Sequence, residues 1–419
     1  MKVFQGKKLL VLGGMELLRE AIEKAKCLGA TVYVTDNIEN SPAKKYADKS
    51  FMVSATDVES LKTLCQEEGI DGIFTAYADV LLPYYSKLCS EVGLPCYGTY
   101  ETFCTMIDKE AFKRTCERYD VSVPQEYADT GAIEYPVIVK PVDSSGSRGI
   151  TVCNNEAGLN DAIEHALSFS NSKKIIIEKY MQGDEVVCYY YMQDGVPTFV
   201  GMCDRYVTNS SNGIGQLPVA YIYPSKHTAV YIQETDTRVK NMLKGIGMEN
   251  GPIFLQGFFD GKETILYEPG YRLCGAREHC IIGPLTGINS EDMLINFALT
   301  GKMSDESLAE RLDPFLGGRY GCKLSPVLRQ GVVDRIEGIE EASEKTYVKY
   351  LYLNRKEGDV VTDKETGTLA TLAYRAYIVA DSIEELSQYI SEVQNLISYY
   401  DDNGNPMISS TFDISILSV

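Results

Sequence analysis

The sequence predicts an α/β protein whose N-terminal part is a parallel βαβαβ unit and whose remainder is mixed α+β. Three observations carry this: apolar runs alternating with segments of helical period in the opening stretch, a lysine-ended strand before a Ser/Gly loop at Tyr135–Gly149, and strand and helix signals mixed after Phe315. The 419 residues leave room for two or three domains, and a hydrophobic fraction of 44% is enough to bury a full core.

In chain order, Lys8–Leu12 reads as a short apolar strand, and Met15–Leu28 as a helix with Leu18, Ala21, Ile22 and Ala25 on one face, ended by Gly29 as a C-cap glycine. A strand at Thr31–Thr35 precedes a helix at Val58–Glu68, and a strand at Gly72–Thr75 precedes a helix at Val80–Val92. Gly13-Gly14 after the first strand and Asp36 after the second resemble a dinucleotide site, but the third glycine of that fingerprint is missing, so the plain reading is a tight turn. Tyr100–Tyr119 is helical in pattern, and strands resume at Tyr135. Near the end, Ala373–Val379 reads as a strand and Asp381–Ile397 as a helix, with Ile383, Leu386, Ile390, Val393 and Ile397 forming its buried stripe.

A formal net charge of -19 excludes a nucleic-acid partner, because phosphate backbones reward clustered Lys and Arg; any nucleotide must be gripped by locally placed cations. Met1–Leu12 offers only the apolar run Leu9–Leu12, far short of a signal peptide or membrane span, so the expectation is a cytoplasmic protein with no membrane partner. Twelve cysteines without a CxxC pair, and the scattered His165, His227 and His279, suggest neither a zinc site nor a disulfide framework.

Chemistry concentrates in the middle of the chain. Tyr135-Pro-Val-Ile-Val-Lys140-Pro141 is a buried strand ending in a lysine, which is costly unless it meets an anion, and Asp143-Ser144-Ser145-Gly146-Ser147-Arg148-Gly149 follows at once. Such a loop lets backbone N–H groups converge on phosphate oxygens, with Lys140 or Arg148 as countercharge. The strand Ile175–Ile177 breaks into Glu178-Lys179-Tyr180-Met181, a hinge able to offer backbone groups to an adenine edge, with Glu185 placed to accept ribose hydroxyls; an edge strand with a solvated turn is the alternative. Gln256 and Glu268 flank a hairpin turned at Asp260-Gly261, and could supply oxygen ligands to magnesium, with Arg272 stabilising charge on a transferring phosphoryl group. Arg277, in the loop beyond, could grip a substrate carboxylate or lie solvated on the surface.

Taken in this order, residues 7 to 300 resemble the ATP-grasp superfamily, and Tyr135–Gly149 is particularly similar to the signature of carbamoyl-phosphate synthase and biotin carboxylase. The resemblance implies three parts: a Rossmann-like pre-ATP-grasp domain at 1–98, a two-lobed ATP-grasp domain at 99–312 with a lid at about 125–190, and a C-terminal α+β region at 313–419 similar to the tail of ATP-grasp amino-acid ligases. It implies that Lys109 and Lys140 contact ATP phosphates, that Asp143–Gly149 closes over them, that Glu178–Met181 hold adenine, and that Glu185 takes the ribose. The family's Glu-x-Asn-x-Arg reads Glu268-Pro269-Gly270-Tyr271-Arg272, so one metal ligand is missing, while Gln256 matches the residue type of carbamoyl-phosphate synthase.

The implied activity is an ATP- and Mg2+-dependent carboxylate–amine ligase, with Mn2+ as a substitute ion, a small carboxylate such as an amino acid as substrate, and a homodimer as the family's frequent state. Two alternatives stand beside it. One is a bicarbonate-using enzyme of the biotin-carboxylase type, echoed in Glu278-His279; the other is a non-catalytic ATP-binding regulator, suggested by Gly270.

Overall fold

A computed structural model of the chain describes residues 2–128, 130–143, 149–208 and 217–417. The N-terminal strands β1 (Lys8–Leu12), β2 (Thr31–Thr35), β3 (Lys49–Phe51) and β4 (Gly72–Phe74) form a parallel sheet in the order β3-β2-β1-β4. The expected strands and helices are present, and β3 is an addition: three residues, Lys-Ser-Phe, with no apolar alternation to announce it. Helices α1 (Arg19–Cys27), α2 (Val58–Glu68) and α3 (Leu82–Val92) bury their apolar sides, and Gly29 takes φ +100° just past α1. A Cβ on Gly14 would lie 2.2 Å from Ser41 Oγ and 2.8 Å from Asp36 Oδ2, so this glycine is required by close packing of its own turn.

The helical stretch expected over Tyr100–Tyr119 is two helices, α4 (Tyr100–Ile107) and α5 (Lys109–Arg118). Asp108 leaves helical geometry at ψ 117° and its carboxylate accepts from Ala111 N at 2.8 Å, capping α5 and stopping α4. A small lobe follows, in which β5 (Val137–Pro141), β6 (Thr151–Cys153) and β7 (Ile175–Lys179) pair antiparallel in the order β6-β5-β7 against helix α6 (Leu159–Phe169). Its separate core is built on Val137, Val139, Leu159, Ala162, Ala166 and Ile177.

The large sheet is antiparallel and runs from the cleft into the C-terminal segment. Its strands are β8 (Asp184–Gln193), β9 (Val196–Val207), β10 (Pro218–Tyr223), β11 (Gly251–Phe259), β12 (Thr264–Gly270), β13 (Tyr320–Leu324), β14 (Val348–Leu353) and β15 (Tyr374–Ala380), in the order β12-β11-β8-β9-β10-β13-β15-β14. Residues beyond Phe315 thus extend the same sheet, and the closing helix α7 (Ile383–Leu396), capped by Ser382, buries Leu386, Ile390 and Val393 against it. Among the described residues, no helix is long and apolar enough to cross a membrane.

Candidate active site

The hairpin β11–β12 turns at Asp260-Gly261, where Gly261 has φ +99°, and its register sets Gln256 directly opposite Glu268. Residues directly opposite on paired strands share a face, so the two expected metal ligands stand side by side. Glu268 is exposed, while the Gln256 side-chain carbonyl accepts from Tyr267 Oη at 3.0 Å and so has a fixed orientation. The donor set fits Mg2+: one carboxylate and one amide oxygen, leaving room for phosphate oxygens and water. Gly270 cannot be replaced by the family's asparagine in this packing, because a Cβ there would lie 2.2 Å from the Phe254 ring. Phe254 is the cross-strand partner of Gly270 and covers it.

Three lysines, Lys109, Lys113 and Lys140, gather around Glu178. Lys140, at the end of β5, places Nζ 2.5 Å from Glu178 Oε2 on β7, and Lys113 on α5 reaches the other oxygen of the same carboxylate. Burial alone would raise the pKa of Glu178, which is 2% exposed, but the charges of Lys140 and Lys113 outweigh it and hold the carboxyl below its usual range. Lys109 opens α5, and burial, then the charge of Lys140, push its ammonium below the ordinary lysine range; Glu268, Glu178 and Asp143 pull the other way. Lys109 therefore shares one electrostatic environment with the second lysine, with the metal-ligand candidate and with the first residue of the loop. Asp143 accepts from Ser172 N at 2.7 Å, and Ser144, Ser145, Gly146 and Ser147 of that loop lie outside the described residues.

The hinge after β7 is fastened by backbone bonds: Lys179 N donates to Gln125 O at 2.9 Å and Tyr180 N to Pro136 O at 3.0 Å. The Met181 N–H has no such partner among the described residues. Glu178, expected among the adenine contacts, points its carboxylate at the two lysines, and its backbone lies in β7 between Ile138 and Glu126. Glu185, expected at the ribose, is ion-paired with Arg205 of the neighbouring strand β9.

Arg272 extends past β12, stacks over the Phe254 ring at 5.0 Å, and donates from Nη2 to Asp79 Oδ2 at 2.5 Å, joining the turn between β4 and α3 to the hairpin. Arg277 is not a solvated surface arginine. It is buried, paired with Glu20 of α1, and lies over the Tyr352 ring at 4.4 Å. Around it stand buried groups that the sequence does not single out as a set. Glu291 accepts from Tyr77 Oη at 3.1 Å and is pushed up by burial to about 8; Glu278 accepts from Ser290 Oγ at 2.8 Å and is pushed up by burial to about 7. His279 is held neutral by burial and then by the charge of Arg277.

The face bearing Gln256 and Glu268 continues along the sheet as a row of cations. Arg205 is opposite Tyr221, Tyr221 is opposite Lys323, and Lys323 is opposite Tyr377, two residues from Arg375. Lys323 sits over the Tyr221 ring at 4.5 Å, and burial, then the charge of Arg375, keep its pKa well below the usual value. Lysine in an apolar strand, Tyr320-Gly-Cys-Lys-Leu324, is the same signal that marks Lys140.

This fold, with its small antiparallel lobe set against a large antiparallel sheet, is similar to that of ATP-grasp proteins. Residues 133–276 match the ATP-grasp domain family and residues 10–91 the PylC-like N-terminal domain family. Among curated relatives, the chain is 28% identical over 191 residues to the formate-dependent phosphoribosylglycinamide formyltransferase of Bacillus subtilis, covering 43% of this chain and 50% of the relative. It is 28% identical over 279 residues to the enzyme of that name from Sulfurisphaera tokodaii, covering 61% and 68%. The chain spans about half the length of most curated relatives it matches. In fold it is similar to the L-amino acid ligase of Bacillus licheniformis, with TM-score 0.77 and 18% identity over 95% of this chain and 100% of that one. It is also similar to the biotin carboxylase of Campylobacter jejuni, with TM-score 0.74 and 18% identity over 99% and 95%.

Proposed function

We propose that the protein is an ATP- and Mg2+-dependent carboxylate–amine ligase that activates its carboxylate as an acyl phosphate and releases ADP and phosphate. The observation that carries this reading is the electrostatic convergence of Lys109, Lys140 and Glu268 across one cleft, with Gln256 held beside Glu268. Lys109 and Lys140 bind the phosphates, the Met181 N–H and the hinge carbonyls take the adenine, and Arg272, locked on Asp79, faces the group being transferred. Gln256 and Glu268 would hold magnesium, which supplies charge neutralisation for the phosphates when bound. The rest is positioning and exclusion of water, for which no side-chain nucleophile is needed. The buried Lys323, with Arg375 and Arg205, supplies the anion-binding end of the carboxylate site. Mn2+ would substitute for Mg2+, an amino acid is among the carboxylates, and a homodimer is the proposed assembly. The proposed domains are 1–98, 99–312 with a lid at about 125–190, and 313–419.

A bicarbonate-using reaction is the second reading, favoured by Glu278, a buried carboxyl near neutrality beside Arg277 and suited to proton transfer. The two are separated by following ADP and phosphate release from Mg-ATP across amino acids, formate, other small carboxylates and bicarbonate, each with and without amines, using Lys140→Ala as the blank. Release requiring a carboxylate and an amine together supports the ligase. Release with bicarbonate alone transfers the assignment to the second reading, and no stimulation by any of them refutes both.

A further inference from the structure

Lys113 is buried on α5, one helical turn beyond Lys109. Its ammonium joins Glu178 on one side and Glu126 on the other, with Nζ 3.1 Å from Glu126 Oε2. Glu126 and Glu178 are themselves bridge partners in the backbone, so the lysine lies where the segment entering the small lobe meets the hinge leaving it. Lys140 reaches the same Glu178 from β5. One buried carboxylate therefore serves two lysines, one on helix α5 and one on strand β5, which leads into the Ser/Gly loop.

We propose that Glu178 is the resident counterion of Lys140, and that Lys113 is the positioning residue that keeps Glu178 ionised and in place when Lys140 turns to a nucleotide phosphate. The proposal rests on the ATP-binding reading of the cleft. A carboxylate as deeply buried as Glu178 is costly unless paired, and losing Lys140 to a phosphate would strip half of its compensation. Lys113 supplies the half that remains. It is itself shielded from water, and Glu126 limits its freedom, so the carboxylate cannot follow Lys140 toward the phosphates or take up a proton. The hinge bonds of Lys179 N to Gln125 O and Tyr180 N to Pro136 O begin at the next residue, so a displaced Glu178 would also disturb the adenine edge. Without Lys113, the pairing of Glu178 with Lys140 becomes exclusive, and binding phosphate means breaking it outright.

The test is the affinity of the full chain for Mg-ATP and Mg-ADP by calorimetry, in wild type, Lys113→Met, Lys113→Arg, Glu178→Gln and Lys113→Met/Glu178→Gln. Lys113→Met weakens binding about tenfold to a hundredfold, Lys113→Arg stays within about threefold of wild type, and the double variant binds within about threefold of Glu178→Gln alone. A lysine that merely supports its helix would give the same loss in both backgrounds. That additivity, or a Lys113→Met variant that binds like wild type, overturns the proposal. The double variant and Glu178→Gln both leave Lys140 without this carboxylate, so comparing the two isolates Lys113 and decides the matter even where Lys113→Met folds poorly. Absence of ATP binding by the wild type would overturn the reading of the cleft itself, which is a different result from a wild type that binds and a Lys113→Met that binds equally.

Discussion

Restoring the family's asparagine is the substitution that the structure most clearly forbids. Even the first carbon of a side chain on Gly270 would come within 2.2 Å of both Cε1 and Cζ of Phe254, far inside carbon–carbon contact, and Phe254 is buried on β11, the neighbouring strand. Gly270→Asn must therefore displace the ring. Forcing extra atoms into a packed core costs about 1–3 kcal/mol, and at roughly 2–4 °C per kcal/mol this lowers Tm by about 2–12 °C. Since Arg272 lies over the same ring at 5.0 Å, moving Phe254 also loosens Arg272, so turnover falls and the magnesium requirement does not improve. Thermal unfolding with and without Mg-ATP, for Gly270→Asn, Phe254→Leu and the double variant, reads this directly. The smaller side chain opens the space, so the double variant is less destabilised than the sum of the singles, with a coupling of about 0.5–3 kcal/mol. A Gly270→Asn protein with unchanged Tm and tighter magnesium binding would refute the packing argument and show that the missing ligand is a matter of sequence alone.

Three further outcomes are expected. Lys140→Ala weakens ATP binding at least about tenfold and abolishes turnover, while Lys113 keeps Glu178 paired so that the fold survives; unchanged nucleotide affinity would remove Lys140 from the site. Glu268→Ala raises the magnesium concentration needed for half-maximal release of phosphate, with little effect on Tm because the side chain is exposed; a normal magnesium profile would place the ion elsewhere. Glu291 carries a folded-state pKa of about 8, above its unfolded value, so it favours the fold below the unfolded pKa and costs stability as pH climbs through the folded one. Glu291→Gln, which keeps the acceptor for Tyr77, therefore raises Tm more at pH 8 than at pH 5, and a gain independent of pH would show that the carboxyl is not held protonated.

Much of this arrangement is legible in the residues because it depends on short-range pattern. The parallel unit follows from alternating apolar strands and capped helices, and the pairing of Gln256 with Glu268 follows from a hairpin turned at Asp260-Gly261. What pattern conceals is contact between distant segments. Lys113 reads as an ordinary surface lysine of an amphipathic helix, its only signal being its spacing of four from Lys109. Asp79, in the turn before α3, and Glu20, on α1, meet Arg272 and Arg277 only on folding, which buries an arginine that the sequence left open as either a substrate contact or a solvated residue. The break at Asp108 shows the competing local rule: a residue compatible with the helical period stops the helix because its carboxylate caps the next one. The strand β3 is too short and too exposed to leave a periodic trace.

The acyl phosphate is the core of the account, and isotope transfer tests it most directly. With the carboxylate that stimulates release labelled with 18O, the protein, Mg-ATP and the amine are incubated in unlabelled water, and the released phosphate is weighed by mass spectrometry. The account predicts one 18O atom in each phosphate, carried from the carboxylate when the amine displaces it, and no transfer with Lys140→Ala. Phosphate carrying oxygen only from ATP and water would contradict it, showing that the cleft hydrolyses ATP without activating a carboxylate.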